Sequence, residues 1–506
     1  MSWRLEAFLK RSIFVLIFSS FSGAFGFAQH TYYISKSSGS DSNTATQAQS
    51  KSTPWAHLPG MPSCTANCAS YTPVAGDRFI LRGGDSWLAS DLGINWQWAG
   101  TSTNPIYVGI DQTYYAGSSW SRPVFNCQNT GCAANQYGNI IWIAANYVSF
   151  DNIEFTGYQQ QNSGGENLVA VYANYDTVEN FYVHGWSRTS GSSAYNSYVL
   201  TNNWSGGGGI GTVFQGNVID GSDSPNQDFM GGILHGDMVY NNVVRYVYNG
   251  MNGVFNNIHG NLVEYNYTAS SGDHCNMIFP QDVFTGNTLW VYNNVIRHGG
   301  YTCAGSTLFT MGNSSCTTCT AYVYNNVLYD NEGDFDKGIT IGSHTSTGTY
   351  YVYNNTVDTP GGYCMGNGES PPRSTTYYAN THCISPNPIC WNTGTTCNNN
   401  GGNLSETETQ ANNAGYTSSE TYAYSPISSS SPTVGIGNNY TSMCSGNLAA
   451  LCSDTSYPTY DTTHHVVVMR TVNPRPSSGA WNAGAYEYAG SGDPPGPPSN
   501  LVALPQ

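Results

Sequence analysis

Between residues 330 and 337 the sequence reads Asp-Asn-Glu-Gly-Asp-Phe-Asp-Lys. Asp330, Asp334 and Asp336 are hard oxygen donors, spaced closely enough to surround a Ca²⁺ ion. Lys337 follows at once and is the only lysine after Lys51. An amine partly withdrawn from water beside a cation has its pKa lowered towards that of a general base. Arg297 and His298 occupy the matching place one repeat earlier. These groups suit β-elimination on a uronic-acid-containing polymer. The cation would neutralise the carboxylate, and Lys337 or Arg297 would take the C5 proton. His274 completes the candidate catalytic set. A solvated acidic turn, with or without a structural Ca²⁺, accounts for the same residues, and the spacing follows no strict calcium-loop signature.

A second group contains Asp223, Asp228, His235 and Asp237, with Asp273 and His274 further on. Paired carboxylates can act as acid and base in glycoside hydrolysis when burial raises one pKa. Asp223 and Asp228 equally suit turns, and His235 and His274 suit strand-end hydrogen bonds. Asp228, His235, Asn252, Asp273 and Asn276 are the candidate substrate contacts. No nucleophile elbow, phosphate loop or dinucleotide fingerprint with the right flanks is present.

The elements that would position these groups are legible in a repeat. Val-Tyr-Asn-Asn followed by an apolar or β-branched residue occurs at 239–243, 291–295, 323–327 and 352–356, with looser copies ending at Asn217 and Asn261. Asn152, Asn180 and Asn380 extend the series. The steps are of the length at which repeats mean stacked coils. Each phrase reads as a short strand, a tight Asn corner and another short strand. Asn tolerates left-handed dihedrals and hydrogen-bonds locally, so one corner of every coil should stack on the next. A hairpin sandwich would favour Asn-Gly between alternating strands, and propeller blades would need a steadier period. The sequence therefore predicts an all-β, right-handed parallel β-helix with an N-terminal cap and an irregular C-terminal cap.

Residues 1–28 have the form of a signal peptide: Arg4, Lys10 and Arg11, an apolar run over 13–21, and Gly26-Phe27-Ala28 at the cleavage site. No later stretch is apolar enough to cross a bilayer, so an exported protein is expected. Fourteen cysteines fit that compartment, with close pairs at Cys64/Cys68, Cys127/Cys132, Cys316/Cys319, Cys390/Cys397 and Cys444/Cys452. Loss of Arg4, Lys10, Arg11 and Glu6 with the signal takes the net charge from −16 to −18. Such a surface argues against nucleic acid and anionic membranes as partners, and makes a strongly anionic glycan awkward without a bridging cation. Abundant Tyr, Asn, Ser, Thr and Gly suit a neutral, hydroxyl-rich ligand. An exposed Tyr column, or Trp87, Trp96 and Trp98, could stack on sugar rings.

Three motifs carry a family resemblance. Tyr32-Tyr33-Ile34-Ser35 with Gly39-Ser40-Asp41-Ser42, then Gly76-Asp77-Arg78-Phe79-Ile80-Leu81-Arg82-Gly83-Gly84, resembles the opening of exported proteins of the pectate-lyase-like superfamily. Asn482-Ala483-Gly484-Ala485-Tyr486-Glu487-Tyr488 is similar to their closing segment. The resemblance implies the fold and the export; the superfamily includes lyases, hydrolases, esterases and adhesins. It also implies a substrate groove on the first strand of each coil, phased here to 228–234, 250–255, 274–279, 306–312 and 338–343. The Asp-Asp and Arg-Ile-Lys pairs expected of β-helix polygalacturonases are missing.

The expected layout is a signal peptide over 1–28, an N-terminal cap and first coils over 29–139, and regular coils over 140–394. C-terminal coils and a cap follow over 395–490, with 460–469 and 481–488 as the last strands, and then a Pro/Gly-rich tail over 491–506. The expected function is lyase-like action on an extracellular polysaccharide by a monomer. Carbohydrate-binding adhesion and glycoside hydrolysis are the alternatives.

Overall fold

Two adjacent asparagines do different work at each corner. The first takes the left-handed conformation, with φ of +56° at Asn241, +57° at Asn293, +55° at Asn325 and +54° at Asn354. The second points inward and is fully buried. The structure, a computed structural model, describes residues 29–132, 139–160, 167–189, 197–202, 209–227, 230–266, 276–283, 286–299, 308–310, 319–331, 337–341, 348–367, 375–391, 396–419 and 421–488. Asn217, Asn242, Asn261, Asn294, Asn326 and Asn355 form one continuous ladder. Each side-chain amide donates to the side-chain oxygen of the next at 3.0 Å. Each also donates to a second-strand carbonyl of the preceding rung, as Asn294 does to Ile258 and Asn326 to Val291. The buried amides are thus satisfied on both sides, which is the condition for keeping polar groups in a core. Asn152, Asn180 and Asn380 stand at the left-handed position, with φ of +61°, +57° and +52°, and not in the ladder.

The regular coils are built on three strand positions, and each strand pairs in parallel with its counterpart one coil away. Parallel crossovers are right-handed almost without exception, and neighbouring rungs lie about 4.8 Å apart. The molecule is a right-handed parallel β-helix. First strands include Val169–Val171, Ser197–Asn202, Ile278–Asp282, Leu308–Thr310, Lys337–Ile341 and Tyr363–Asn367. Met230–Tyr240 and Met251–His259 run through the first corner and supply first and second strands together. Inward side chains align as Leu200, Ile233, Met251, Ile278, Leu308, Ile339 and Met365, all buried.

On the second strands the outward residues form columns. Tyr240, His259, Tyr292 and Tyr324 stack at ring separations of 4.8, 4.6 and 4.7 Å, within 11° of coplanar. Beside them run Tyr322, Tyr351 and Tyr377, and then the register partners Thr288, Thr320, Thr349 and Thr375. Because each ring lies face to face with its neighbours, ring faces along the column are already used. Sugar stacking on those faces is thereby excluded within the column. Burial lowers the His259 pKa to about 4, so the ring sits in the stack uncharged.

The N-terminal motifs are structural. Thr31–Ile34 pairs with Arg78–Leu81 as the first rung, and residues 35–77 close the end of the core. Asp41 accepts the backbone N–H groups of Ala56, His57 and Thr65 and the ring of His57 at 2.7 Å. Asp77 accepts Tyr71 Oη at 2.6 Å. Trp87 and Trp96 are fully buried, so they belong to the core rather than to a sugar platform.

The C-terminal region differs from expectation. Thr396–Asn399 and Leu404–Glu406 add one more rung. The chain then reverses at the helix Glu408–Asn413, whose N-terminus is capped by Thr407. It runs back along the outside of the third strands, burying Tyr416, Tyr422, Tyr424 and Tyr457 against Val218, Val243, Leu262, Val295 and Val327. The outermost reach is the antiparallel hairpin Thr459–Asp461 with Val466–Val468, where Arg122 donates to the carbonyls of His464 and His465 and Tyr182 stacks on His465 at 3.8 Å. Residues 481–488 form no strand. Gly484, at φ +85°, donates its N–H to Asn380 and comes so close to Thr356 and His382 that no Cβ would fit, and Arg475 pairs with Glu487 at 3.0 Å in the interior. The closing motif therefore locks the returning segment onto the coils. The outward apolar residues of the third strands, silent in a strand pattern alone, are what it covers.

Disulfides close Cys64–Cys68, Cys127–Cys132, Cys390–Cys397 and Cys444–Cys452 as their spacing predicts. Cys364–Cys383 was not foreseen; it links the first and third strands of one coil across the core. Cys319 is also disulfide-bonded, while Cys316 lies outside the described residues. The cross-links fit an oxidising compartment. Residues 1–28 and 489–506 lie outside the described residues, and among those described no helix is long and apolar enough to cross a membrane.

Candidate functional site

Alternation along the first strands turns Thr201, Leu234, Asn252 and Phe279 outward, in register with one another. Asn252 is the centre of a polar strip. Its Nδ2 donates to Tyr198 Oη at 3.3 Å, and its Oδ1 accepts from Gln281 Nε2 at 3.1 Å. Tyr198 starts two rungs away and reaches Asn252 by lying over Gly231, where any Cβ would strike its ring. Burial raises the Tyr198 pKa, so its hydroxyl remains protonated.

His235 sits at a bulge between Leu234 and Gly236 with φ +59°. Its ring packs over Gly253, another position where a Cβ would collide with it. Nδ1 accepts the Val254 N–H at 2.8 Å, which places the ring proton on Nε2. Burial pulls its pKa down to about 3. His235 is therefore a neutral hydrogen-bonding group. Tyr198 and Gln281 were not singled out in the sequence; two glycines within strand patterns, Gly231 and Gly253, were the available signal.

The other expected residues fall in several places. Asn276 is buried at the start of its strand, with its N–H held by Asn249 Oδ1 at 2.9 Å and its carbonyl accepting from Asn266. It is a latch below the surface rather than a substrate contact. Arg297 is on the third-strand sheet and not on the first. There Asp220, Arg245, Glu264, Arg297 and Tyr329 succeed each other in register, with alternating charge over the first four. Arg297 Nε donates to Glu264 at 2.7 Å and Nη1 to Tyr329 Oη at 2.8 Å. Burial opposes its charge, but Glu264 and then Tyr329 outweigh it and raise the pKa. A guanidinium so held cannot take a proton from substrate.

Asp330, at φ +52°, binds His298 Nδ1 at 2.6 Å, and His298 stacks on Tyr265 at 4.7 Å. Lys337 opens its first strand in register with Tyr363; its side chain lies outside the described residues. Asp228, Asp273, His274, Asp334 and Asp336 also lie outside the described residues. Of the expected Ca²⁺ ligands only Asp330 is described, and His298 takes its carboxylate. Among the described residues no three metal-ligating side chains converge. The expected Ca²⁺ set thus falls mostly outside the described residues, and no step is drawn through it.

Asp223 and Asp237 are likewise separated. Asp223 binds His184 Nδ1 at 2.7 Å, and Glu154 approaches His184 Nε2 at 3.3 Å. Burial disfavours the His184 charge, yet the two carboxylates prevail and hold its pKa up to about 9. Asp237 accepts from Asn256 Nδ2 and from the Gly211 N–H, each at 2.6 Å. A different carboxylate pair went unnoticed in the sequence. Asp151 and Glu179 are register neighbours on the second-strand face, and burial raises both pKa values. The available signal was an acid directly before the corner Asn, where later rungs carry Tyr.

No protein-family model matches the sequence, and no curated protein is significantly similar to it. Among solved structures the chain is similar to pectate lyase Pel9A, with 14% identity and a TM-score of 0.44 over 90% of this chain and 96% of that one. It is also similar to the GH136 lacto-N-biosidase from Eubacterium ramulus, at 14% identity and a TM-score of 0.41 over 75% and 67%. A rhamnogalacturonan lyase follows at 13% and 0.33 over 75% and 87%. These likenesses concern chain architecture alone. No residue role is transferred from them.

Proposed function

We propose that this protein acts on an extracellular polysaccharide laid along the first-strand face, by lyase-like chemistry. The observation that supports it is the strip Tyr198–Asn252–Gln281, a set of neutral donors and acceptors fixed on a rigid sheet. Side chains held in this way recognise hydroxyl groups with little loss of conformational freedom. Lys337 begins its strand two rungs beyond Ile278–Asp282, about 10 Å along the axis. As base, Lys337 takes the proton from C5 of a uronate. The C4–C5 double bond forms as the C4–O bond breaks, and the leaving oxygen takes a proton from water.

With a net charge of −16, the favoured substrate carries few carboxylates. Hydrolysis needs two carboxylates facing one bond. Asp223 and Asp237, the described aspartates of the expected group, take different partners on different sheets, and the neighbouring carboxylates Asp151 and Glu179 lie on the second-strand face rather than the first. Adhesion without turnover is the second reading, favoured by the regular outward columns on the second strands.

Incubation with pectate, alginate and less charged uronate polymers, with and without chelator, tests the proposal. Ultraviolet absorbance of an unsaturated product is expected. Reducing ends released without that absorbance would replace elimination by hydrolysis, and retention on glycan without product would leave adhesion.

A further inference from the structure

The second-strand face carries a regular array over its last rungs. Thr320, Thr349 and Thr375 are in register, and two residues along each strand so are Tyr322, Tyr351 and Tyr377. The rings stack at 5.0 and 5.5 Å, tilted by 13° and 16°. Their faces are occupied by one another, so edges and hydroxyls are what they offer to solvent. All six residues are partly exposed. The residues that carry these hydroxyls therefore repeat about every 4.8 Å along the axis and about 7 Å across it, on a rigid sheet.

The strands that build this array, Thr288–Tyr292, Thr320–Tyr324, Thr349–Tyr353, Thr375–Ala379 and Thr396–Asn399, contain no charged residue, although the chain as a whole carries −16. The adjoining column is already a binding interface, used by the returning C-terminal segment. Tyr440 lies flat on Tyr353 at 5.0 Å and 8°, and Tyr324 Oη donates to the Asn447 carbonyl at 3.1 Å. The open columns continue that interface.

We propose that these columns bind the surface of an insoluble, uncharged, β-linked polysaccharide. Extended chains packed side by side present flat rows of hydroxyls at a repeat set by the hexose length. Only a partner with several such rows can engage two columns over several rungs at once. Both surfaces are rigid beforehand, so many individually weak hydrogen bonds add with little ordering cost. The inference rests on the polysaccharide reading for its ligand class, but uses residues on another face and needs no turnover.

The test is partition of the full chain onto microcrystalline cellulose and onto chitin. The triple variant Tyr322→Phe, Tyr351→Phe, Tyr377→Phe keeps the stacked rings and removes the hydroxyls. With Thr349→Val added, affinity for the solid should fall about tenfold or more, with thermal unfolding unchanged. Thr349→Lys, which puts a charge in the centre, should weaken binding as well. Product release from a soluble polymer should be the same in all variants, which separates this surface from the first-strand site. The proposal is overturned if the unaltered protein stays in solution with both solids, or if the hydroxyl-free variant binds equally well. A dimer in sedimentation that Thr349→Lys converts to monomer would also overturn it, by assigning the face to a second copy.

Discussion

The side-chain amide of Asn326 donates to the side-chain oxygen of Asn355, 29 residues on in sequence and one rung away in space, at 3.0 Å. Its own oxygen accepts from the Asn294 backbone N–H and side-chain amide at 3.1 and 3.0 Å. Asn326→Ala would leave the buried Asn294 N–H without its acceptor and take one hydrogen bond each from the Asn294 amide, Asn355 Oδ1 and the Val291 carbonyl. A loss of about 3–5 kcal/mol in unfolding free energy is expected from denaturant titration. Asn293→Gly, at the left-handed position where glycine is at ease, should cost far less.

Arg475 and Glu487 form a buried pair within the returning segment, and Arg475 also donates to Asn325 Oδ1 at 3.2 Å. Arg475→Ala strands a buried carboxylate, at a cost of about 3–5 kcal/mol. Limited proteolysis should then cut within 438–488 while the coils stay resistant. Cleavage spread evenly over the chain would mean that the segment and the coils unfold as one unit.

Asp176 is fully buried; one oxygen accepts the Val148 N–H at 2.8 Å, and the other has no partner among the described residues. Burial raises its pKa to about 8, from about 3.9 in an unfolded chain. The folded state therefore holds a proton that the unfolded state releases. Stability from this group is fully present below about pH 4 and is lost as pH rises towards 8. Asp176→Asn should raise the thermal midpoint at pH 8 and change it little at pH 4. An equal shift at both would contradict the assignment.

Arg297→Gln removes one member of the charge ladder on the third strands. Stability should fall by about 1–3 kcal/mol, because the buried Glu264 then keeps only Arg245 as its cationic partner. Turnover per folded molecule should be unchanged on any polysaccharide that gives product. A loss of turnover with stability intact would restore Arg297 to the catalytic set.

The coil was legible because Tyr-Asn-Asn encodes a local event, a left-handed turn followed by an inward amide, and local chemistry repeats visibly. The returning segment was not. Its hold depends on apolar residues such as Val218, Val243 and Leu262, which face outward on the coils and meet Tyr422 or Tyr457 from far along the chain. The site was half legible for a similar reason. Asn252 and His235 could be phased from the repeat, but Tyr198 enters only because Gly231 has no side chain. Arg297 was misplaced because a rung number gives its height along the helix and not the sheet its side chain leaves from.

Product formation by Asn252→Ala with Gln281→Ala, compared with the unaltered chain on the best soluble polysaccharide substrate, tests the central claim most directly. If the substrate lies on the first-strand face, loss of both amides lowers kcat/KM about tenfold or more while the fold is retained. An unchanged kcat/KM would place the substrate elsewhere.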